Sequence, residues 1–468
     1  MTNNGNSAQA ARWPIRDPRT YDQLEQDKED VRKQVTALSE RNANAQAAAA
    51  GYGDDPRPPD REEILDRIRR RQLTLAENEG TRFAVYTSEG GQPVLVAENQ
   101  LVVDADDEQL GTFGDLLSDY AAAGRIGRRK SQVFYCRDGK GITALMADAR
   151  RIREKQPDSA SLNTIVPLGY VVKGDAYPGR TTGLGDFSPG TGGSPVRVAI
   201  IDTGLNKTDR SDDWLPDVAA QDVDQLNIVA PFTRNDYHSG HGTFTTGIVR
   251  QIAPDCEVVV YRFTKADGLG TDDAAADMMT KAADDAAGMR LIINASFGAP
   301  AVDGVPPLAL QEAVRDITTR YPEVLIVASA GNDGDTRKLY PAAFDFPQVK
   351  AVGALNADLT GADFSNHGDW LHCSAVGVGV VSTFVKGTLP PEDNLGIDDV
   401  TFDADNSWAT WSGTSFTAPQ ISAAVAYLCG QDPTGTLLPG AAFDQLIAGR
   451  DTLEGFGVKV HLLPGTPT

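Results

Sequence analysis

From residue 196 to about 450, short apolar runs alternate with longer stretches of mixed polarity. VRVAIID (196–202), CEVVVYRF (256–263), RLIINASF (290–297), VLIVASAG (324–331) and VKAVGAL (349–355) read as strands. They are brief, nearly continuous in apolar character and rich in β-branched residues, which suits a sheet covered on both faces. The 273–288 segment and PLALQEAVRDITTR (307–320) read as helices between them. Strand–helix alternation predicts an α/β domain with a mainly parallel sheet. In such sheets chemistry gathers at the carboxyl ends of strands.

Ahead of 196 the pattern differs. FAVY, PVLVAENQLVV, KSQVFYC and NTIVPLGYVV (163–172) are strand-like, whereas FGDLLSDYAAAG (113–124) and ITALMADARRIREK (142–155) read as helices. The order suits a small α+β sandwich. Residues 19–43 predict one helix, with Tyr21, Leu24, Val31, Val35 and Leu38 on a 3/4 spacing, and 61–77 a second, Arg-rich helix. The first helix reads as a short element packed on its own domain, with a docking helix or small coiled coil as the alternative. The Gly- and Pro-dense stretch 173–195 marks a boundary. The expected organisation is a disordered tail at 1–18, a helical extension at 19–78, an α+β domain at 79–173, a linker at 174–195 and the α/β domain at 196–460.

Composition narrows the partners. A net charge of −22 over 468 residues argues against nucleic acid, whose phosphates need clustered Lys and Arg. No run of about 18 apolar residues predicts a membrane span, and MTNNGNSAQAARWPIRDPRT has no apolar signal-peptide core. Cys136, Cys256, Cys373 and Cys429 are scattered and read as reduced packing residues. These features point to the cytoplasm, with unconventional export as the alternative.

The unusual residues fall at strand–helix junctions. Asp202 ends the first strand in AIIDTG. His241 opens an apolar helical run in YHSGHGTFTTGIV. Asn332 follows a strand in VASAGNDG, and Ser415 precedes a buried-looking helix in TWSGTSFTAPQISAAVAYL. Each has a plain structural reading as a turn or cap. Together they offer a nucleophile, a general base, a carboxylate to orient that base and an amide donor. A serine at a helix start also has unpaired backbone N–H groups beside it, able to hold an oxyanion. A zinc site on His238 and His241 would need further ligands, and no HExxH or CxxC supplies them; no metal site is assigned.

DTG at 202–204, HGT at 241–243, ASAGN at 328–332 and GTSFTAP at 413–419 resemble the signature blocks of the subtilases, the subtilisin-like serine peptidases. YPAAF (340–344), KAVGAL (350–355) and FSNHG (364–368) fit the same pattern. The resemblance covers roughly 196–450 and implies a subtilisin-like three-layer sandwich and serine endopeptidase activity. It implies Ser415 as nucleophile, His241 as base, Asp202 as its orienting acid and Asn332 in the oxyanion hole. Protein or peptide substrate would lie along Gly268, Leu269, Gly270 and Ser296, Phe297, Gly298. The primary pocket would be walled by 296–298 and by 328–331, including Ser329, Ala330 and Gly331. Leu339 would narrow its floor and favour small or medium apolar side chains. Residues 81–172 look similar to subtilase propeptides, which cover the cleft, so a latent zymogen is expected, with 163–174 as the strand in the groove. No cofactor is required by the resemblance; calcium, common in the family, is left open. DADDEQ (104–109) and DADN (403–406) do not fit an EF-hand, and 387–407 reads as an inserted loop beside the nucleophile helix. The rival reading is a subtilase-shaped protein that binds a partner, or a second copy of itself, through its N-terminal helices and cuts little.

Overall fold

Alternate residues of the strand Val196–Asp202 serve opposite layers. Val198 and Ile200 pack with Phe244, Ile248 and Ala423, whereas Ala199 and Ile201 pack with Met279 and Val314. This is the period-2 geometry of a strand buried on both faces. The computed structural model describes residues 13–49, 81–89, 93–123, 129–168, 177–188, 196–228, 233–389 and 399–468, excluding the side chains of 40–49. The helix expected at 61–77 lies outside the described residues.

Val196–Asp202 is central in a nine-stranded sheet. On one side follow Glu257–Arg262 and Ala219–Ala220; on the other, Arg290–Ala295, Leu325–Ser329, Val349–Leu355, Cys373–Val376, Gly457–Val460 and Thr452–Leu453. All neighbours are parallel except the last pair. Helices His241–Ile252 and Ala418–Gln431 cover one face, and Asp272–Asp285 and Leu308–Arg320 the other. The expected α/β three-layer sandwich is the observed architecture. Chain order reverses between Val196–Asp202 and Arg290–Ala295, so a crevice opens at their carboxyl ends. The helix Ala418–Gln431 packs over both strands and delivers its N-terminus there.

The preceding region forms an antiparallel sheet of Phe83–Thr87, Pro93–Asp104, Tyr120–Ala122, Ser131–Cys136 and Ala160–Pro167. The helix Ile142–Lys155 buries Leu145, Met146, Ala149 and Ile152 against Leu101, Val103, Phe134 and Leu162 on one face. The opposite face lays Val102, Val133 and Val166 on the layer that holds Met279 and Val314. Polar ties rim this contact. Glu312 accepts from the Lys130 N–H at 3.0 Å, and Asp303 accepts from the Tyr86 hydroxyl at 2.6 Å.

The helix read at 113–124 is not formed. A helix runs instead over Asp107–Thr112, and Tyr120–Ala122 is a strand. Asp106 starts the helix early through a reciprocal capping box with Gln109, so part of the acidic run 104–109 serves as a cap. Phe113 and Leu117 are buried from a turn.

The N-terminal helix spans Tyr21–Ala49 and starts on Thr20, whose side chain accepts from Gln23 N–H while Gln23 returns a bond to Thr20 N–H. Its buried stripe is Asp27, Val31, Gln34, Ala37 and Leu38, not the one read from apolar spacing: Tyr21 is 74% exposed, and Leu24 and Val35 are half-buried. The stripe faces Gly179–Arg180 and Trp408–Trp411. Ahead of it, Trp13 packs edge-on against Tyr427, and Ile15 N–H bonds Leu462 O at 2.8 Å.

Helix His241–Ile252 lies so close to the strand Val380–Thr383 that a Cβ on Gly247 would sit 2.3 Å from Ser382 Oγ and Thr383 Oγ1. Those hydroxyls donate to Phe244 O and Thr243 O. Gly247→Ala should therefore destabilise the chain by about 1–3 kcal/mol through overpacking, despite alanine's helix preference. Urea unfolding checks this; an unchanged or raised midpoint contradicts it.

Candidate active site

Asp202 ends the central strand with 0% exposure. A carboxylate so placed must be hydrogen-bonded to persist. Oδ1 accepts from Thr203 N–H at 2.7 Å, and the two oxygens lie 2.8 and 2.9 Å from His241 Nδ1. Thr245 Oγ1 adds a long bond of 3.4 Å. His241 is the first residue of its helix, reached through Gly240 in the left-handed region (φ 79°). Trp411 meets the imidazole edge-on at 5.6 Å between centroids and Phe416 lies at 5.4 Å, so the ring is walled by aromatics.

A second buried carboxylate ties these two loops together. Asp224 Oδ2 accepts from Thr203 Oγ1 at 3.0 Å and from Gly240 N–H at 2.8 Å. Thr203 Oγ1 in turn accepts from Gly242 N–H at 3.2 Å. Asp224 therefore fixes the residue after Asp202 against the residues on either side of His241. Burial pushes its carboxyl up to about 7.

Ser415 sits in the 3₁₀ turn Thr414–Phe416, just before the helix Ala418–Gln431. Its carbonyl is held by Ser296 Oγ at 2.8 Å, Ser296 Oγ accepts from Asn294 Nδ2, and Ser422 Oγ reaches Asn294 Oδ1. Ser415 Oγ lies 3.2 Å from Ser296 O and 3.3 Å from Leu168 O. In this conformation the hydroxyl is turned to those carbonyls and makes no hydrogen bond to His241, although both residues line one small cavity. Rotation about χ1 between staggered wells redirects such an oxygen.

Asn332 follows Gly331, whose φ of +106° favours glycine. Its Oδ1 accepts from both the N–H and the hydroxyl of Thr414 at 2.9 Å. Of the two amide atoms only the oxygen can accept from a backbone N–H, so this contact fixes the amide orientation. Nδ2 then lies on the Gly413 side, in a residue that borders the cavity. Asn366 braces the turn by accepting from Asp333 N–H and donating its own N–H to Gly331 O.

The groove beside Ser415 is filled by the chain itself. Ala160–Pro167 pairs antiparallel with Leu269–Thr271, matching Leu269 to Pro167 and Gly270 to Val166. Leu168 N–H bonds Gly268 O at 3.1 Å, and Gly298 N–H bonds Pro167 O at 3.4 Å on the other side. Residues 268–270 and 296–298 thus clasp an added strand. Gly268 (φ +76°) is required there, because a Cβ would lie 2.4 Å from His238 Nδ1. The Leu168 side chain is buried in the cluster containing Phe297, Ala328 and Ala330. Ser329 and Gly331 flank that wall, and Leu339 lies against Gly298 and Gly331. The cavity left between Leu38, Leu168, His238, His241, Asn332 and Ser415 is only ≈ 20 Å³, room for about one water.

Among the described residues, no group of three His, Cys, Asp or Glu side chains is arranged to hold a metal ion. The ring of His238 lies 6.2 Å from that of His241, whose Nδ1 is engaged by Asp202. The four cysteines are free and buried, and no described helix is long and apolar enough to cross a membrane. The segment expected as an inserted loop at 387–407 is described at its ends, where Gly387–Leu389 pairs with Val400–Phe402.

A family model described as the Subtilase family, Peptidase_S8, matches residues 193–447, more than half the chain. Subtilisin BL of Lederbergia lenta is 29% identical over 254 residues, 52% of this chain and 80% of that protein. An alkaline protease of Alkalihalobacillus alcalophilus is 28% identical over 254 residues, 57% of its own length. An intracellular serine protease of Paenibacillus polymyxa is 27% identical over 257 residues, 68% of its length. The crystal structure of fervidolysin from Fervidobacterium pennivorans, a keratinolytic enzyme related to subtilisin, aligns with 79% of this chain and 60% of that chain. Its TM-score is 0.52 at 17% identity, a likeness of fold.

The buried Asp224 has a measurable pH consequence. Its folded-state pKa of about 7 lies above the ordinary 3.8. As pH rises from 4 to 7 the unfolded chain sheds this proton while the folded chain keeps it, so the group's stabilisation is lost as pH rises through 7. Asp224→Asn keeps an acceptor for Thr203 and Gly240 without the charge. Relative to wild type it should be near neutral at pH 4.5 and more stable at pH 8, by up to about 4 kcal/mol at 1.36 kcal/mol per pK unit. Paired urea unfolding at the two pH values checks this; a pH-independent difference contradicts it.

Proposed function

Since the chain belongs to the subtilase family, the subtilisin-like serine peptidases, we propose that it is an endopeptidase held latent by its own residues 79–173. Ser415 Oγ attacks the peptide carbonyl carbon while His241 Nε2 takes the hydroxyl proton. Asp202 keeps the other ring nitrogen protonated and stabilises the imidazolium. The oxyanion is received by Ser415 N–H and Asn332 Nδ2. His241 then protonates the leaving nitrogen, and water attacks the acyl-enzyme by the same steps in reverse.

The observation that carries the reading is the contact of 3.3 Å between Ser415 Oγ and Leu168 O, at the end of a strand clasped by 268–270 and 296–298. The segment lies as an extended substrate would, with the bond after Leu168 presented to the nucleophile. Mass spectrometry should find the purified chain broken after Leu168 and Ser415→Ala intact. Ser415→Ala should also lose peptide turnover by about 10⁶-fold, the loss that removing the serine causes in subtilisin. A break after Leu168 in Ser415→Ala, or turnover without the hydroxyl, contradicts the assignment.

The same segment supports a preference for Leu-sized side chains on the acyl side of the cut. Leu168 is buried beside Phe297, and Leu339 lies across Gly298 and Gly331 at the pocket wall. Leu339→Ala should shift the Phe-to-Leu ratio of kcat/KM toward Phe by about tenfold, within the 1–3 kcal/mol range of pocket-size discrimination. Two fluorogenic peptides differing only at that residue measure it; an unchanged ratio places Leu339 outside the pocket.

A further inference from the structure

The strand that ends at Leu168 accounts for one half of the cleft. Its backbone enters between 268–271 and 296–298 and brings its carbonyl to Ser415. Whatever follows the cut bond must leave on the opposite side, past His241, which hands its proton to the departing amine. Trp411, Ser412 and Gly413 line the small cavity beside His241 and Ser415, and so does Leu38, from a helix more than a hundred residues upstream of Leu168. Leu38 is 1% exposed.

We propose that the leaving-group side of this cleft is a helix-receiving surface whose occupant is the chain's own helix Tyr21–Ala49. On this view the peptidase is closed twice, by independent elements. The proposal rests on the peptidase reading above and extends it.

The surface is matched to that helix in polar detail as well as shape. Gln34 donates through Nε2 to Thr410 O at 3.0 Å and accepts from Ser412 Oγ at 2.8 Å, just ahead of Gly413 and Ser415 in the chain. One turn further along, Leu38 reaches the cavity beside His241. Seven residues before Gln34, the buried Asp27 accepts from Thr181 Oγ1 and from Arg19, both at 2.8 Å. Arg19 also donates to Thr466 Oγ1 at 2.8 Å and to Gly465 O at 3.2 Å. At Gly179 a Cβ would sit 2.8 Å from Asp30, so the helix comes this close only because that residue is glycine. Asp27 and Gln34, both buried, each meet a partner across this contact, where an unmatched buried group would be costly.

Every receiving residue named here (Gly179, Thr181, Thr410, Ser412, Gly465 and Thr466) lies after Leu168 in the chain. A cut after Leu168 therefore separates the helix covalently while leaving these contacts in place. The cavity beside Ser415 that Leu38 borders is only ≈ 20 Å³, so the helix narrows the space open to residues on the leaving side of a substrate. A cleaved chain should accordingly stay slow toward extended peptides until the helix is displaced. The N-terminal sheet and the helix meet different surfaces, so weakening one need not release the other.

The test uses the full-length chain as wild type, Leu38→Glu, Gln34→Ala and, as a control on the exposed side of the helix, Lys33→Ala. The state of the bond after Leu168 is recorded for each by mass spectrometry, and reactive serine is counted with a fluorophosphonate. Hydrolysis of an internally quenched peptide with four residues on each side of its cut bond is then measured per reactive serine. Leu38→Glu should raise that rate at least about tenfold, the factor corresponding to 1.4 kcal/mol of lost helix binding. Gln34→Ala should raise it less, and Lys33→Ala should leave it unchanged. A helix with a purely structural role predicts the reverse sign: lower stability with equal or lower turnover. Equal rates per reactive serine in wild type, Leu38→Glu and Gln34→Ala overturn the helix proposal while leaving the peptidase reading in place. Absence of fluorophosphonate labelling in all four chains, even after limited digestion of their N-terminal region, overturns the peptidase reading itself.

Discussion

The burial of Asp202 is the constraint on which the rest of the structure depends. A carboxylate with no solvent contact, at the end of the central strand, persists only if the protein supplies donors around it. The Thr203 N–H, the Thr245 hydroxyl and the His241 ring converge on it. Each comes from a different piece of local architecture: the turn after the strand, the interior of a helix, and that helix's first residue. Satisfying one acid therefore fixes where the helix must start, and with it the face of the imidazole left toward the cleft. Asp224 repeats the device one shell out, clamping the Thr203 hydroxyl and the Gly240 N–H.

The crevice follows from topology. The central strand and Arg290–Ala295 part company at their carboxyl ends, and the helix Ala418–Gln431 lies across both. Ser415 is held at its N-terminus by a carbonyl contact from Ser296, itself backed by Asn294 and Ser422 inside the core. The turn that holds Ser415 is thus braced from below by hydrogen bonds within the core. What faces the crevice from above is the chain's own N-terminal half. The sheet meets the clasping strand through backbone pairing, and the helix meets the far side through Gln34 and Leu38.

Much of this was legible in the sequence, for identifiable reasons. The strands at 196–202, 290–295 and 349–355 announce themselves because a sheet covered on both faces demands uninterrupted apolar runs. Asp202, His241, Asn332 and Ser415 stood out because polar residues at the ends of such runs break the pattern. The groove strand near 163–174 followed from the resemblance to propeptides; Ala160–Pro167 pairs along the groove, and 169–174 lie outside the described residues. Other features carried no local signal. Asp224 acts through Thr203, 21 residues away, and Asn294 and Ser422 meet across 128 residues; nothing near them in the chain distinguishes them from turn or helix polars. The face of the N-terminal helix was misread because apolar spacing was the only guide. The true stripe includes Asp27 and Gln34, buried because a polar receiving surface matches them. The 113–124 segment misled in the opposite way, since Phe113 and Leu117 pack from turns rather than from a helix.

The central claim is that the buried Asp202–His241 pair turns one particular hydroxyl into a nucleophile. Peptide mapping after fluorophosphonate treatment tests it most directly, performed on the full-length chain before and after limited digestion of its N-terminal region. The account predicts a single phosphonylated serine, Ser415, labelled faster after digestion and at a strongly reduced rate in Asp202→Ala. Label on a different residue, or on Ser415 at the same rate in Asp202→Ala, would contradict it.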